Sequence, residues 1–354
     1  MGWRRDDPAS LGVDVPMLSR AIGDAVSRET TSARDMHGYL GAILVAAQFP
    51  TIIGPLRDSA GASGVIIYSG ALIAEWGDPS ALGMSFSTSK SYLSVVAGLA
   101  FDHKLFGDLE EPVSARIDDA AFAGPKSRRI TWRHLLYQTS EWDGTLWDRP
   151  WWADPQGRQA RTDQLGEPGT VWAYNDVRIN LLALALTRLW KRPLGDVLET
   201  ELLSKLGSSN TLQWHGYQNS WVATENKNIP VVSGGAHWGG GVFASAYDHA
   251  HIGALYLRRG RWGDQQLLSE AWVEATLQPC ALNPDYGLLW WLNRRGKVFP
   301  RAPTTGFCAR GNLGRQLLWV DPAHDLIIVS RWSDGVGLLL AEVTTAVPRN
   351  MPSC

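Results

Sequence analysis

The sequence predicts an α+β fold: an antiparallel sheet built from both chain ends and flanked by helices, with a mostly helical domain inserted between. Three observations predict it. SGVIIYSGALIAEWG (63–77) sets two β-rich runs around the turn Ser69-Gly70, the pattern of a hairpin. Residues 316–320 and 326–332, joined by DPAHD, form a second hairpin near the other end, and 286–292 reads as a further strand. The long stretch between these strand regions carries mostly helical spacing.

The elements follow in order. Residues 38–56 are uncharged but contain Gln48, Pro50, Gly54 and Pro55, so they read as a buried segment or loop and not as a membrane span. YLSVVAGLAFDHKLFG (92–107) is helical and ends near Gly107. ITWRHLLYQTS (130–140) has helical spacing with Thr131 as N-cap. Residues 141–169 are rich in Trp, Asp, Pro and Gly and read as a long surface loop. VRINLLALALTRLW (177–190) is apolar almost all round, as a buried helix is. The glycine-rich run GGAHWGGGVFAS (234–245) leads into a helix over AYDHAHIGALYLRRG, and GVGLLLAEVTTAV (335–347) is a closing helix. The expected division is residues 1–80 plus 235–354 as the sheet-containing domain, and 81–234 as the mostly helical one.

Composition narrows the function. The 354 residues are 45% hydrophobic, enough for a large core, and at this length two domains, or one with an insertion, are expected. Net charge is -2 with no basic block, which argues against a nucleic-acid binder. Cys280, Cys308 and Cys354 form neither a paired framework nor a CxxC metal spacing, which fits a reducing compartment. MGWRRDDPASLGVDVP has no apolar signal region, so a cytoplasmic location and no membrane association are expected. His249 and His251, two apart on a helix, face different sides and are a poor metal pair. The 18 tryptophans suit a core and aromatic-lined pockets.

The chemistry concentrates in MSFSTSKSYLS (84–94). Ser87 and Lys90 are three apart, so a helix starting at Ser87 puts both side chains on one face. The serine oxygen then lies at the positive end of the helix dipole, and the amine can take its proton if burial or nearby cations lower its pKa. S-x-x-K is a serine-hydrolase motif, though four letters alone also fit a capped helix start with a solvated lysine. VWAYND (171–176) sets Tyr174 at a helix entrance, where its phenol can pass protons if cations lower its pKa, or can simply pack.

In order along the chain, GVIIYSGALIAEWG, SFSTSKSYLSVVAGLAFDHKLFGDLEEPV, ITWRHLLYQTS, AYND, HWGGGVFASAYDHAHIGALYL and LLWVDPAHDLIIVSRW resemble segments of the serine β-lactamase and penicillin-binding-protein fold. The branch they resemble holds class C β-lactamases, D-alanyl-D-alanine peptidases, β-lactamase-like esterases and 6-aminohexanoate-dimer hydrolases. The likeness covers about residues 60 to 345. It implies Ser87 as acylated nucleophile, Lys90 as base or proton relay and Tyr174 as second acid/base, with no cofactor or metal. It implies an oxyanion hole from the backbone N–H groups of Ser87 and Asn312.

Two departures from the family pattern stand out. Asp176 occupies the asparagine position of the Tyr-x-Asn motif, after Asn175; either contacts substrate or Lys90, or Asp176 caps the helix. In FCARGNLGRQ (307–316) no lysine or histidine precedes the glycine. Arg310-Gly311 is the nearest match to the third motif, and Arg310 either binds a carboxylate or makes an outward salt bridge. Cys308 lacks a histidine partner and reads as a small buried residue. Trp142, Trp147, Trp151 and Trp152 either border the cleft, suggesting an apolar or aromatic acyl or leaving group, or pack the loop on itself. Trp142 and Trp147, with Trp238 of the glycine-rich run, are the candidate aromatic substrate contacts.

These readings converge on a serine hydrolase for a small-molecule ester or amide, foremost a carboxylesterase or small-amide hydrolase. The alternatives are an acyltransferase using the same acyl-enzyme, a β-lactamase or peptidase, and a non-catalytic ligand-binding member of the fold. The altered third motif and the missing export signal count against β-lactamase and cell-wall peptidase, whose substrates lie outside the cytoplasm.

Overall fold

A computed structural model describes residues 3–154, 165–208, 211–224, 227–235 and 237–349. Its main sheet has seven strands, in the spatial order Arg4–Arg5, Ala71–Trp76, Ser63–Tyr68, Leu326–Arg331, Gln316–Asp321, Phe307–Gly311 and Trp291–Leu292. The sheet is therefore built from both chain ends, as expected. The Arg4–Arg5 pairing is parallel and the others are antiparallel. The first hairpin turns through Ser69 (φ 49°) and Gly70 (φ 75°), two successive left-handed residues that match the twist of a two-residue turn.

Period-two alternation divides the sheet between two cores. Val65, Ile67, Leu318, Val320, Ile327 and Val329 face the larger core, which includes the helices Ser89–Asp102 and Ala246–Leu257. Ile66, Tyr68, Leu317, Trp319, Leu326 and Ile328 face the helices Val15–Ser27 and Val336–Ala346 on the other side. Both faces are covered, so these strands read as almost continuous apolar runs. The helix Asp176–Trp190 is buried along its first twelve residues, as its composition predicts. Trp132–Leu136 starts at Thr131, whose hydroxyl accepts from the His134 N–H in a capping box.

Several expectations need correction. The helix expected over 92–107 is Ser89–Asp102; it stops because Lys104 turns left-handed (φ 58°), well before Gly107. The strand expected over 286–292 is only Trp291–Leu292, because Leu289 (φ 64°) breaks the extended run. The middle of the chain also contributes to a second sheet: Gly83–Met84, Gly241–Ala244, Gln213–Ala223 and Asn228–Val232. The loop 141–169 holds a small hairpin, Thr145–Leu146 with Arg149–Pro150, and residues 155–164 of it lie outside the described residues. Cys280 and Cys308 are buried and unpaired, and Cys354 lies outside the described residues. Among the described residues no helix is long and apolar enough to cross a membrane.

Candidate active site

Ser87 sits in a 3₁₀ turn, Phe86–Thr88, that runs directly into the helix Ser89–Asp102. Phe86 adopts φ 48°, a left-handed conformation that costs a bulky side chain about 1–3 kcal/mol. Its ring is buried edge-on to Trp332, with centroids 5.8 Å apart, and that packing holds the turn. Phe86 and Thr88 are buried while Ser87 between them keeps partial solvent contact.

Lys90 lies one turn along the helix, as the spacing predicts. Its Nζ donates to Ser87 Oγ at 2.8 Å and to the Gly234 carbonyl at 3.4 Å. It also pairs with Asp176 Oδ1 at 2.6 Å, and the two side chains are 2% and 3% exposed. Burial works against the ammonium, but the Asp176 carboxylate, with Tyr174 and Asp154, outweighs it and raises the Lys90 pKa. The expectation of a lowered lysine pKa is thus corrected: the neighbour is an anion, not a cation. Tyr174 lies against the same group, with its ring centre 5.0 Å from Lys90 Nζ. Burial pushes the Tyr174 phenol up; the Lys90 charge and hydrogen bonding with Ser87 and Lys90 oppose this without overcoming it. Tyr174 is therefore a neutral phenol at pH 7, where cations were expected to lower its pKa.

The second motif divides its labour. Asn175, not Asp176, caps the helix Asp176–Trp190: its Oδ1 accepts from the Arg178 N–H at 2.9 Å and its Nδ2 donates to the Trp151 carbonyl at 2.7 Å. Both polar ends of Asn175 are thus bonded within the chain. Asp176 is the first residue of that helix and turns to Lys90, so of the readings open in the sequence, the lysine contact is the one present.

The third region lies beside the serine. A Cβ on Gly311 would stand 2.8 Å from Ser87 N and 2.5 Å from the Ser85 carbonyl oxygen, so only glycine allows this approach. Asn312 follows immediately. It is left-handed (φ 49°), its Oδ1 accepts from the Tyr39 hydroxyl at 2.8 Å, and its Nδ2 is buried without a partner. Arg310 does not make the outward salt bridge that was one of its two sequence readings. Among the described residues it pairs with no carboxylate, and its guanidinium lies 4.4 Å from the centre of Trp291. Trp291 in turn stacks on Tyr174 at 5.8 Å and 29°. The Trp291 indole thus lies between Arg310 and Tyr174.

Trp142 and Trp238 are core residues, at 4% and 0% exposure, with their N–H groups donated to the Ala121 and Phe49 carbonyls. Trp147 is half-buried, edge-on to Tyr217. The aromatic wall beside Tyr174 instead comes from Trp172, Tyr286 and Trp291, mutually 5.0–6.2 Å apart. Gln138 ties this wall to the second motif: its Nε2 donates to the Tyr286 hydroxyl at 2.7 Å, and its Oε1 accepts from the Asn175 N–H at 2.8 Å. Sequence reasoning missed Gln138 and Tyr286. Trp172 stood inside VWAYND, and its place two residues before Tyr174 was the available signal. Asp154, Asp176 and His237 bring metal-type donor atoms within 4.8 Å of one another. The Lys90 ammonium already supplies positive charge to the two carboxylates there.

The site thus sets a serine beside a lysine and a tyrosine, on a turn that opens a helix packed beside a mixed sheet. The Beta-lactamase family model matches residues 51–334, and the chain belongs to that family. Its members are usually serine hydrolases. No curated protein matches the chain. Among solved structures, it is similar to EstCE1, "a hydrolase with promiscuous acyltransferase activity", at 17% identity and TM-score 0.59, covering 94% of this chain and 98% of that one. A penicillin-binding-protein homologue from Caulobacter crescentus is 15% identical with TM-score 0.59, covering 88% and 97%. An octameric penicillin-binding-protein homologue from Pyrococcus abyssi is 16% identical with TM-score 0.54, covering 84% and 74%. At these identities the likeness is one of fold.

Proposed function

We propose that the protein is a cytoplasmic serine hydrolase that cleaves small esters or amides through an acyl-enzyme on Ser87. The observation that carries this reading is the position of Lys90 Nζ, hydrogen-bonded to Ser87 Oγ at 2.8 Å and ion-paired with Asp176 Oδ1 at 2.6 Å. A raised Lys90 pKa means that the resting lysine is an ammonium and cannot accept a proton without releasing one. Asp176 is placed to receive it. As Ser87 Oγ bonds to the acyl carbon, its proton passes to Lys90, and Lys90 passes one of its own to Asp176. The N–H groups of Ser87 and Asn312 would stabilise the oxyanion, and the neutral Tyr174 phenol would protonate the leaving oxygen or nitrogen. Water then takes the leaving group's place, and the same transfers in reverse release the acid and restore the serine. No cofactor enters either half.

The half-buried Trp172 and Trp291, backed by the buried Tyr286, favour an apolar or aromatic acyl or leaving group. The altered third motif, with Arg310 where the family pattern has a lysine or histidine before the glycine, counts against β-lactamases and cell-wall peptidases. An acyltransferase would share every step up to the acceptor. Intact-mass spectrometry after exposure to p-nitrophenyl acyl esters, amides and a β-lactam tests the reading. The expected result is one acyl adduct with ester turnover, both abolished by Ser87→Ala in a protein that keeps its circular dichroism. Turnover retained by Ser87→Ala would overturn it.

A further inference from the structure

A cavity of about 570 Å³ lies at the end of the main sheet away from Ser87, beside the first hairpin turn. The sheet residues Ile67 and Ile327 form part of its lining, so it is bounded by apolar surface on one side. Three aromatic rings make another side. His251 stacks on Trp3 at 5.0 Å, and Trp262 stands edge-on to both, at 6.0 Å and 5.4 Å. Arg4, Arg258 and Arg261 complete the polar part of the lining, and no Asp or Glu lines the cavity. Arg4 is paired with Asp6 and Arg258 with Asp325. Arg261 has no carboxylate partner among the described residues. His251 is 4% exposed, and its ring has a backbone hydrogen bond with Tyr247. The indole N–H of Trp3 is buried and has no partner among the described residues.

These features belong together. A volume of this size holds one small molecule. Indole and imidazole faces hold flat rings by stacked and edge contacts. An unpaired guanidinium, with no acidic side chain in the wall, favours a carboxylate that it can bind with two parallel hydrogen bonds. The buried Trp3 N–H marks where a bound molecule would complete the bonding. Solvation of the rim alone would need arginines but not the three rings. We propose that this cavity is a second small-molecule site, distinct from the serine site, that binds a flat aromatic monocarboxylate.

The test is calorimetric titration of the full chain with indole-3-acetate and with its uncharged carboxamide. The expected result is saturable one-to-one binding that prefers the carboxylate and is the same in wild type, in Ser87→Ala and in protein already acylated on Ser87. Arg261→Ala should weaken the carboxylate by about ten-fold or more and remove its preference over the carboxamide. Trp262→Ala should weaken both probes. The proposal is overturned if no saturable binding occurs, if acylation of Ser87 abolishes it, or if Arg261→Ala leaves the preference intact. Because binding is read without turnover, a failure of the hydrolase reading does not disturb this result.

Discussion

Two charges with almost no solvent contact govern the proposed chemistry at Ser87. Burying Lys90 and Asp176 together offsets much of their attraction, so the pair itself contributes little net stability. Removing one partner is different, because it strands the other. Asp176→Asn should destabilise the protein by about 3–5 kcal/mol. The pH dependence has a definite sign. In the wild type the Lys90 pKa is raised above its ordinary 10.5, so its contribution is complete below about pH 10.5 and is lost only as pH climbs further. In the variant the stranded amine sheds its proton as pH rises, so the stability gap should narrow from about pH 7 to about pH 10 in urea unfolding. Acylation should slow by about 10² to 10⁴, the usual worth of a positioned proton acceptor. A wild-type acylation rate would remove Asp176 from the relay. Ser87, Lys90 and Tyr174 were legible because each lies in a short local pattern at a helix start. The task of Asp176 was not, because the partner that chooses between capping and pairing lies on another helix. The tryptophans misled for a similar reason: Trp142 and Trp238 carry the same letters as Trp172 and Trp291, and only tertiary packing separates core from wall.

At the scale of elements, the turn that carries Ser87 is held from two sides. Ahead of it, Gly311 brings its strand against the backbone of Ser85 and Ser87. Gly311→Val should push the strand away and cut kcat/KM by at least about 10², since small displacements of catalytic groups carry costs of that order. Far-ultraviolet circular dichroism should stay native; unchanged kinetics would show that the strand is not what positions the serine. Behind it, the helix Ala246–Leu257 presents His249, bonded to Ser85 Oγ at 3.1 Å and to the Tyr92 hydroxyl at 2.9 Å. Burial lowers the His249 pKa to about 3. The unfolded chain therefore binds the extra proton first, and stability falls as pH drops below about 6.5 towards 3. His249→Gln, which has no such titration, should lose less stability than the wild type between pH 7 and pH 5 in urea melts. Equal losses would place the acid sensitivity elsewhere. Elements were most legible where composition was one-sided. The hairpin at 63–77 showed two β-rich runs around Ser69-Gly70, and the helix at 177–190 was apolar almost all round. Gln213–Ala223 was missed because its burial is irregular: Tyr217, Ser220 and Val222 are buried among the exposed Gln218, Asn219, Trp221 and Ala223, and a register shift interrupts its pairing with Asn228–Val232.

For the whole molecule, segments near the two ends of the chain brace the turn beside the serine. The helices Val15–Ser27 and Val336–Ala346 pack on one sheet face, joined by the Asp14 N–H to the Ala346 carbonyl at 2.8 Å. The segment after the first helix then crosses to the serine side. There the Tyr39 hydroxyl donates to Asn312 Oδ1 at 2.8 Å and accepts from Arg315 Nη1 at 2.8 Å, while Arg315 Nε donates to Asp334 Oδ1 at 2.7 Å. Asn312 and Leu313 are both left-handed, and Leu313 is 86% exposed, so packing of the Leu313 side chain does not secure this turn. The hydrogen bonds from Tyr39 and Arg315 are what fix the residue whose N–H is assigned to the oxyanion. Tyr39→Phe removes both bonds and keeps the ring against Trp332. It should cost about 1–2 kcal/mol in stability. It should also slow acylation by about 10-fold or more, because a displaced oxyanion donor weakens the transition state and not the substrate complex. Pre-steady-state release of p-nitrophenol separates the two: the acylation rate falls while the apparent substrate dissociation constant stays fixed. A change confined to that constant, with acylation at the wild-type rate, would mean that the N-terminal segment shapes the mouth of the cleft and leaves the oxyanion donor alone.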